Sequence, residues 1–221
     1  ILLRNVPHEL RSPLTRLQLS LALARRKTPE AEAEHGRIER EIERLDELIG
    51  EIIRFSRIQH GLSEMACERV NLEQLIEQLV DDGNFEAQAQ NKGVDLIKSQ
   101  PIEIVGVRDW LSSAAENIIR NAIRFTPQGS DVEVTLEQYR RNVIIKVRDK
   151  GPGVPEDALE SMFEPFFRVD ETRGKENDGF GLGTAIAMSA IANHDGAIFA
   201  RNAHPGLEVT IRIPLDHKHN V

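Results

Sequence analysis

Two stripes of apolar residues open the chain, and their spacing predicts two long helices over residues 1 to about 60. Leucines recur every three or four residues from Leu10 to Leu21, and after a break at Lys27-Thr28-Pro29 the pattern continues from Ile38 to Ile52. The stripes therefore predict a helical hairpin. Three further apolar residues widen the second stripe beyond what one helix covers, which favours two hairpins forming a four-helix bundle, and hence a homodimer. These residues are Leu48, Ile53 and Phe55.

A different pattern begins near residues 61–69, where the helical periodicity gives way to β-rich runs between shorter helices. We predict helices over Leu72 to Ala89, Trp110 to Arg124 and Thr184 to Asn193. We predict strands over Val94 to Ile97, Ile102 to Val107, Val132 to Leu136, Val143 to Val147, Ala197 to Arg201 and Leu207 to Ile213. This order predicts an α/β sandwich in which helices cover one face of one sheet. The fold class is thus α+β, with predicted domains at residues 1–66 and 67–221.

The composition narrows the classes of partner. A net charge of −8 without a Lys/Arg run, together with an aromatic content of 5%, excludes the basic surface of a nucleic-acid-binding protein. No apolar run approaches the roughly 20 residues that span a bilayer, and no signal peptide opens the sequence, so we expect no direct membrane contact. The single cysteine, Cys67, excludes an internal disulfide and favours the cytoplasm. Because the first helix starts without a capping residue, we expect it to be part of a helix that begins earlier in a longer protein.

Asn117 and Asn121 lie four residues apart in the segment ENIIRNAIRF and therefore share one helix face. An asparagine carbonyl oxygen is a neutral, hard ligand that suits Mg²⁺, which takes the rest of its shell from water and substrate phosphates. By itself the pair fits ordinary surface amides better. Arg120 and Arg124 beside it favour a phosphate site, because guanidinium groups match phosphate oxygens.

Two segments that contain glycines, residues 148–156 and 178–187, add to this picture; they are called the second and third glycine segments because the asparagine segment precedes them in the chain. In RDKGPGVPE a strand ends at Asp149, whose carboxylate can accept a hydrogen bond from an exocyclic amine such as that of adenine, and the glycines that follow let a flat ligand approach the backbone. A simple Asp/Gly turn remains the alternative. In DGFGLGTAIA three glycines lead into a helix, whose N-terminal amides can bind phosphate. Between them, FEPFFRVDETRGKEND predicts an apolar hinge followed by a mobile lid.

The chain resembles the sensor histidine kinases of bacterial two-component systems in five segments that occur in the family's order. These segments are H-E-L-R-S-P-L, N-I-I-R-N-A, D-K-G-P-G, F-E-P-F-F and G-F-G-L-G, which match the H, N, G1, F and G2 boxes. The resemblance covers essentially the whole chain. It implies that the hairpin is a dimerisation and histidine-phosphotransfer domain, followed by an ATP-binding domain of the type shared with gyrase and Hsp90. Within the family, TRLQL and FEAQ are similar to envelope-stress sensor kinases of the Cpx type.

The resemblance also implies roles for single residues. His8 is similar to the phosphoacceptor, whose neutral imidazole attacks the γ-phosphate of ATP, and Glu9 is similar to the acidic neighbour that holds or accepts the other ring proton. Ser12 stands where the family has the residue that orients water for dephosphorylation of the receiver. Asn121 matches the Mg²⁺ ligand. The implied nucleotide contacts are Asn117, Arg124, Phe125, Asp149, Gly151, Gly153, Arg168, Gly179, Gly181, Leu182 and Gly183.

These expectations combine into one function. The chain is expected to be a cytoplasmic fragment of an inner-membrane sensor, which as a homodimer uses Mg·ATP to phosphorylate His8. It then passes the phosphoryl group to an aspartate of a response-regulator receiver domain and has weak phosphatase activity toward that receiver. Two alternatives stay open. A nucleotide-gated ATPase of the same fold would release free phosphate without forming an acid-labile phosphoprotein, and a scaffolding dimer would bind no nucleotide.

Overall fold

The computed structural model describes residues 2–28, 31–60, 66–169 and 179–215, and the side chains of residues 2–12 and of Lys27 lie outside the described part. The chain divides into two compact units, residues 1–60 and 61–221. This division falls a few residues before the domain boundary that the sequence predicts between residues 66 and 67, and that boundary stays a prediction.

The first unit is a hairpin of two helices, as the apolar stripes predict. Helix α1 spans Leu2–Lys27 and helix α2 spans Glu32–Gln59. Leu14, Leu21 and Ile42 form one buried apolar cluster, against which Ile49 packs. Other members of the same stripes are 39% to 50% exposed, and these are Leu17, Ile38, Leu45 and Ile52. The hairpin therefore covers only part of its apolar stripe by itself.

The second unit contains every helix and strand that the sequence predicts, with bounds that differ by no more than three residues. Its helices are α3 (Leu72–Gln88), α4 (Arg108–Phe125) and α5 (Gly183–Ala192). Its strands are β1 (Glu68–Asn71), β2 (Gly93–Lys98), β3 (Glu103–Gly106), β4 (Asp131–Tyr139), β5 (Asn142–Arg148), β6 (Ala197–Asn202) and β7 (Leu207–Pro214). Two short 3-10 helices, Glu156–Ala158 and Ser161–Phe163, lie between β5 and α5 in the chain.

Five strands form one sheet in the order β2-β4-β5-β7-β6. Strand β2 runs parallel to β4, and the other neighbours are antiparallel. Alternate residues of β4 are buried, namely Val132, Val134 and Leu136, and β5 shows the same alternation. Helices α3, α4 and α5 pack on the sheet. Since only one side of each central strand is fully buried, these helices cover one face, which confirms the predicted α/β sandwich.

Strand β1 and the two 3-10 helices are not predicted from the sequence. Strand β1 has four residues, of which only Val70 is buried, so it shows no apolar alternation that could reveal a strand. It pairs antiparallel with β3. It ends at Asn71, whose side-chain oxygen accepts the N–H of Gln74 at 3.1 Å and caps helix α3.

His194 connects the two helices that carry most of the predicted site residues. Its ring is fully buried, and Nδ1–H donates to the carbonyl of Ala190 in α5 at 2.7 Å. Nε2 accepts the N–H of Val107, the residue before α4, at 3.1 Å. A ring nitrogen that faces a backbone N–H acts as an acceptor, so the geometry requires the tautomer with the proton on Nδ1. His194 thereby fixes the end of α5 against the start of α4.

Candidate active site

The structure brings the predicted asparagine segment and the third glycine segment together. The Cα of Gly183, the first residue of α5, lies so close to Asn117 of α4 that an added Cβ would lie 2.7 Å from Asn117 Oδ1. A Cβ on Gly179 would lie 3.4 Å from Arg124 Nη1. The glycine segment thus lies along the polar face of α4. Close approach at Gly183 leaves no room for a side chain.

Asp149 follows β5 and is almost completely buried, with 5% of its surface exposed. Its Oδ1 accepts the backbone N–H of Gly151 at 2.7 Å and that of Leu207 at 3.2 Å. Its Oδ2 receives no hydrogen bond from any residue that the structure describes. Burial raises the pKa of Asp149, and the two backbone amides oppose that rise. The carboxyl is therefore oriented by the protein through one oxygen and has the other oxygen available to a ligand.

The end of α4 lies beside the segment that follows Asp149. A Cβ on Gly151 would lie 2.6 Å from the carbonyl oxygen of Phe125, the last residue of α4. Thr126, with 2% of its surface exposed, accepts the N–H of Lys150 through Oγ1 at 3.1 Å. These contacts place the Phe125 backbone next to the loop that holds Asp149.

Two arginines supply positive charge. Arg124 and Arg168 are both partly buried. The pKa of Arg124 is lowered first by burial and then by the nearby charge of Arg168. An anion near two guanidinium groups offsets the repulsion between their charges, and phosphate oxygens match the donors of a guanidinium group. Arg120, the other arginine of the segment, lies on the outer surface and pairs with Glu86 at 3.4 Å and Glu116 at 3.7 Å.

The two asparagines of α4 have different environments. Asn117 donates through Nδ2 to the carbonyl of Ser113 at 2.7 Å, which leaves its Oδ1 facing Gly183. Asn121 is partly exposed, and within the described ranges its side chain makes no hydrogen bond. Its amide oxygen can therefore accept a water or contact a metal ion. An amide oxygen and phosphate oxygens together fit the ligand preference of Mg²⁺.

The third glycine segment packs against the FEPFF segment, residues 163–167. Gly181 has a φ of 74°, and an added Cβ would lie 2.7 Å from the carbonyl of Phe167, so only glycine fits. Phe166 donates its N–H to the carbonyl of Gly181 at 2.9 Å. Leu182 is fully buried, and Thr184 donates through Oγ1 to the carbonyl of Met162 at 2.6 Å. The predicted lid residues 170–178 lie outside the described residues.

The predicted phosphoacceptor segment belongs to the first unit. The backbone of α1 includes His8, Glu9 and Ser12, and their side chains lie outside the described part. The structure therefore adds nothing to the roles of these three residues, which stay predictions.

Asn202, at the end of β6, is a positioning residue that the sequence does not reveal. Its Oδ1 accepts the N–H of Val154 at 3.0 Å, and its Nδ2 donates to the Val154 carbonyl and to Glu156 Oε1, both at 2.8 Å. Gly153, with a φ of 75°, approaches the same side chain. Asn202 holds the second glycine segment, and because it is distant in the chain no spacing links it to Gly153. Leu207 and Thr126, which hold the Asp149 loop through hydrogen bonds, were missed for the same reason.

The described residues form a site with three chemical parts. A buried carboxylate oxygen can accept an amine proton of a flat base, and the backbone approaches closely beside it. Two guanidinium groups and the N-terminus of α5 favour phosphate groups. An amide oxygen is available for a cation. The arrangement suits a nucleoside polyphosphate whose base reaches Asp149 and whose phosphates reach Arg124.

Two family models match the chain. Residues 106–217 match the histidine kinase-, DNA gyrase B- and HSP90-like ATPases. Residues 1–61 match the His Kinase A (phospho-acceptor) domain. The first match includes all of the candidate nucleotide contacts, and the second includes His8.

Curated relatives include bacterial sensor kinases. The sensor histidine kinase CpxA of Escherichia coli (strain K12) is 39% identical over 216 residues, which cover 97% of this chain and 46% of that protein. The signal transduction histidine-protein kinase BaeS of the same strain is 30% identical over 219 residues, which cover 96% and 46%. The chain therefore spans about half the length of the curated relatives that it matches.

Solved structures show the same arrangement of secondary structure. Full-length ShkA in complex with AMPPNP matches with a TM-score of 0.78 and 25% identity, over 98% of this chain and 46% of that chain. The mycobacterial sensor histidine kinase MprB matches with a TM-score of 0.60 and 26% identity, over 67% of this chain and 97% of that chain.

Proposed function

Since the chain belongs to the histidine kinase-, DNA gyrase B- and HSP90-like ATPases and carries the phosphoacceptor domain of the histidine kinases, we propose that it phosphorylates its own His8 from ATP. It is a protein histidine kinase by family. The observation that carries the nucleotide part of the proposal is the buried Asp149, whose Oδ1 is held by two backbone amides while Oδ2 receives no hydrogen bond from a described residue. Such an oxygen selects a ligand with an amine, and adenine has one.

The proposed reaction is phosphoryl transfer to a ring nitrogen. The neutral imidazole of His8 attacks the γ-phosphorus of ATP, the bond from that phosphorus to the bridging oxygen breaks, and ADP leaves. Glu9 holds the proton on the other ring nitrogen and thereby stabilises the positive charge that develops on the ring. A phosphohistidine then donates the phosphoryl group to an aspartate of a response-regulator receiver domain. The partly exposed end of α4 presents Arg124 for charge neutralisation during the transfer.

The residues of the second unit divide the binding of ATP between them. Asp149 accepts the adenine amine, and the Phe125 backbone flanks the base through its contact with Gly151. Arg124 and Arg168 bind phosphate oxygens, whose negative charge offsets the burial of Arg124 and the nearby charge of Arg168, the two causes that lower the pKa of Arg124. The glycines of the third segment, with Leu182 as a buried anchor, bring backbone amides toward the phosphates at the start of α5.

Asn121 is the proposed protein ligand of Mg²⁺, with Asn117 close by. Mg²⁺ held there would supply positive charge that neutralises the phosphate groups of the nucleotide. Asn117 contributes indirectly, because its Nδ2 is bonded to Ser113 and its Oδ1 borders Gly183. Its amide oxygen therefore borders the start of α5, where the phosphates are proposed to bind.

The hairpin is proposed to form a homodimer. Its exposed apolar side chains include Leu17, Ile38, Leu45 and Ile52, which continue the same stripes as the buried Leu14, Leu21 and Ile42. A stripe that one hairpin covers only in part is buried when two hairpins form a four-helix bundle. A second hairpin supplies that partner.

The remaining parts of the proposal concern the longer protein. We infer weak phosphatase activity toward the phosphorylated receiver, with Ser12 orienting the attacking water. The relatives of sensor type favour an inner-membrane parent for this cytoplasmic fragment. None of the helices in the described ranges is long and apolar enough to cross a membrane.

Transfer to a receiver tests the proposed function. The chain is incubated with Mg²⁺ and γ-labelled ATP, separated from nucleotide, and mixed with a purified receiver domain or with the same receiver lacking its acceptor aspartate. We expect label to move from this chain to the intact receiver only. Steady release of free phosphate with no labelled chain would instead indicate the nucleotide-gated ATPase. Absence of nucleotide binding would indicate the scaffolding dimer.

A further inference from the structure

The C-terminal end of α4 carries three groups of the proposed site, namely Asn121 and, in the last turn, Arg124 and Phe125. The final carbonyl groups of a helix have no partner within the helix, and this turn is therefore prone to move. The N–H of Thr126 donates to the carbonyl of Ala122 at 2.9 Å, which is the last backbone hydrogen bond of the helix. The carbonyl groups that follow need other donors.

Lys92, from the loop between α3 and β2, provides such donors. Its Nζ lies 2.9 Å from the carbonyl oxygen of Ile123 and 3.4 Å from that of Arg124. A cation at this position also interacts favourably with the negative end of the helix dipole. The side chain is partly buried, and burial lowers the pKa of Lys92. Among the side chains that the structure describes, no carboxylate pairs with it, so its contacts are with the backbone of α4.

The loop that carries Lys92 is itself fixed on two sides. The N–H of Lys92 donates to the carbonyl of Ala87 near the end of α3 at 3.2 Å. The carbonyl of the preceding residue, Asn91, accepts the N–H of Gly129 at 2.7 Å, in the turn that follows α4. The ammonium group thus extends from a fastened loop to the end of the helix. Lys92 holds the last turn of α4 in place rather than moving with it.

The position of that turn has consequences for the site. Arg124, whose carbonyl is bonded to Lys92, carries a partly buried guanidinium group, and burial together with the nearby charge of Arg168 lowers its pKa. The carbonyl of Phe125 borders Gly151, and Thr126 is bonded to Lys150 beside Asp149. A shift of the last turn would therefore change the phosphate contact directly and the base contact through one hydrogen bond.

We propose that Lys92 is a positioning residue for nucleotide binding, which holds the backbone of Arg124 so that its guanidinium group meets the phosphates. This inference rests on the proposed function, because it assumes that Arg124 contacts ATP. Lys92 itself is not proposed to touch the ligand. An ordinary helix cap would stabilise the fold without any preference for phosphate, and the two roles can be measured separately.

The test uses the full chain in four variants beside the wild type. Lys92→Met removes the charge and the donors, Lys92→Gln keeps a donor without charge, and Lys92→Arg keeps a cation. Lys98→Met is the matched control, since it removes an exposed lysine of β2 that pairs with Glu137. Circular dichroism fixes a temperature at which each chain is folded, and calorimetry there measures the Kd of Mg·AMPPNP and of adenosine.

We expect Lys92→Met to raise the Kd of Mg·AMPPNP roughly tenfold. The variant loses a charge-assisted hydrogen bond that orders a group in the binding site. The affinity of Lys92→Met for adenosine should fall by about threefold or less, because adenosine lacks the phosphates that Arg124 binds. Lys92→Arg should restore Mg·AMPPNP binding to within about threefold of wild type, and Lys98→Met should change neither Kd.

The outcomes separate the two levels of the proposal. If the wild type binds neither ligand, the proposed function fails and the inference fails with it. If the wild type binds and Lys92→Met binds Mg·AMPPNP within twofold of it, the positioning role is overturned even when the melting temperature falls. Equal losses for Mg·AMPPNP and adenosine would also overturn it. The positioning role is also overturned if neither Lys92→Met nor Lys92→Gln folds, because Lys92 would then be required for the fold of the whole domain.

Discussion

Replacing Asp149 by asparagine tests the proposed base contact with one changed atom. The asparagine can keep its Oδ1 toward the N–H groups of Gly151 and Leu207, which lie 2.7 Å and 3.2 Å away in the wild type. Its Nδ2 then takes the place of Oδ2. A donor consequently faces the adenine amine, which is also a donor. The variant retains the shape of the side chain and its backbone contacts while reversing the polarity toward the ligand.

The expected loss follows from that mismatch. A buried donor left without an acceptor costs about 1–3 kcal/mol, which corresponds to a roughly 5- to 150-fold weaker affinity for ATP. Because guanine carries an acceptor oxygen where adenine carries its amine, the same variant should lose less affinity for GTP than for ATP. Asp157→Asn is the matched control, since Asp157 is exposed in a short 3-10 helix. Calorimetric titration of each chain with both nucleotides in Mg²⁺ measures the effect.

The pKa of Asp149 gives this experiment a second readout. Burial raises that pKa in the unliganded chain, whereas a hydrogen bond from the adenine amine favours the ionised form and lowers it. Nucleotide binding should therefore release protons in the pH range between the two values. Affinity should fall as the pH falls through that range, and Asp149→Asn should abolish this dependence. The reasoning is refuted if the folded variant binds ATP within twofold of wild type, or if both chains show the same pH dependence.

Three further predictions concern other residues. Asn121→Ala should reduce Mg²⁺-dependent autophosphorylation more than Mg²⁺-free nucleotide binding, and equal losses in the two assays would indicate a structural amide. Ser12→Ala should remove phosphatase activity toward a labelled receiver and Ser12→Thr should raise it, with autophosphorylation nearly unchanged; parallel loss of both activities would exclude the water-orienting role. Gly183→Ala should lower both ATP affinity and melting temperature, since its Cβ would lie 2.7 Å from Asn117 Oδ1. Gly50→Ala is its control and should stabilise α2 by up to about 1 kcal/mol, because no atom lies within 4 Å of the added Cβ.

Helices and strands with a periodic apolar pattern could be predicted, because the burial of one face produces that pattern. The leucine and isoleucine stripes predict α1 and α2, and the alternation of β4 predicts both the strand and its buried face. The same stripes do not distinguish Leu14, which is buried within one hairpin, from Leu17, which is 50% exposed. That difference depends on how the two helices pack, and spacing alone does not encode it.

The sequence suggests candidate site residues where one short segment carries the chemistry. Asp149 with its glycines and the pair Asn117 and Asn121 are examples, because each residue type suggests its ligand. Contacts between distant segments were not predictable. Asn202 holds Val154 across many residues of intervening chain, and the approach of Gly183 to Asn117 depends on the packing of α5 on α4.

Arg120 and Arg124 show a related limit of sequence reasoning. Both residues stand beside the asparagines, and composition gives them the same expected role. In the structure Arg120 forms exposed ion pairs, whereas Arg124 is partly buried near Arg168. A spacing of four residues places the two side chains on the same side of the helix. The neighbouring elements then determine which of them lies beside the third glycine segment.

The central claim, that His8 accepts the phosphoryl group, is tested most directly by the chemistry of the labelled chain. Wild type and His8→Ala are incubated with Mg²⁺ and γ-labelled ATP, and the protein-bound label is then exposed to acid or to base. We predict label on the wild type that survives base and is lost in acid, as a phosphohistidine requires. We predict none on His8→Ala, with unchanged affinity for Mg·AMPPNP. Label that persists on His8→Ala, or that resists acid on the wild type, would contradict the account.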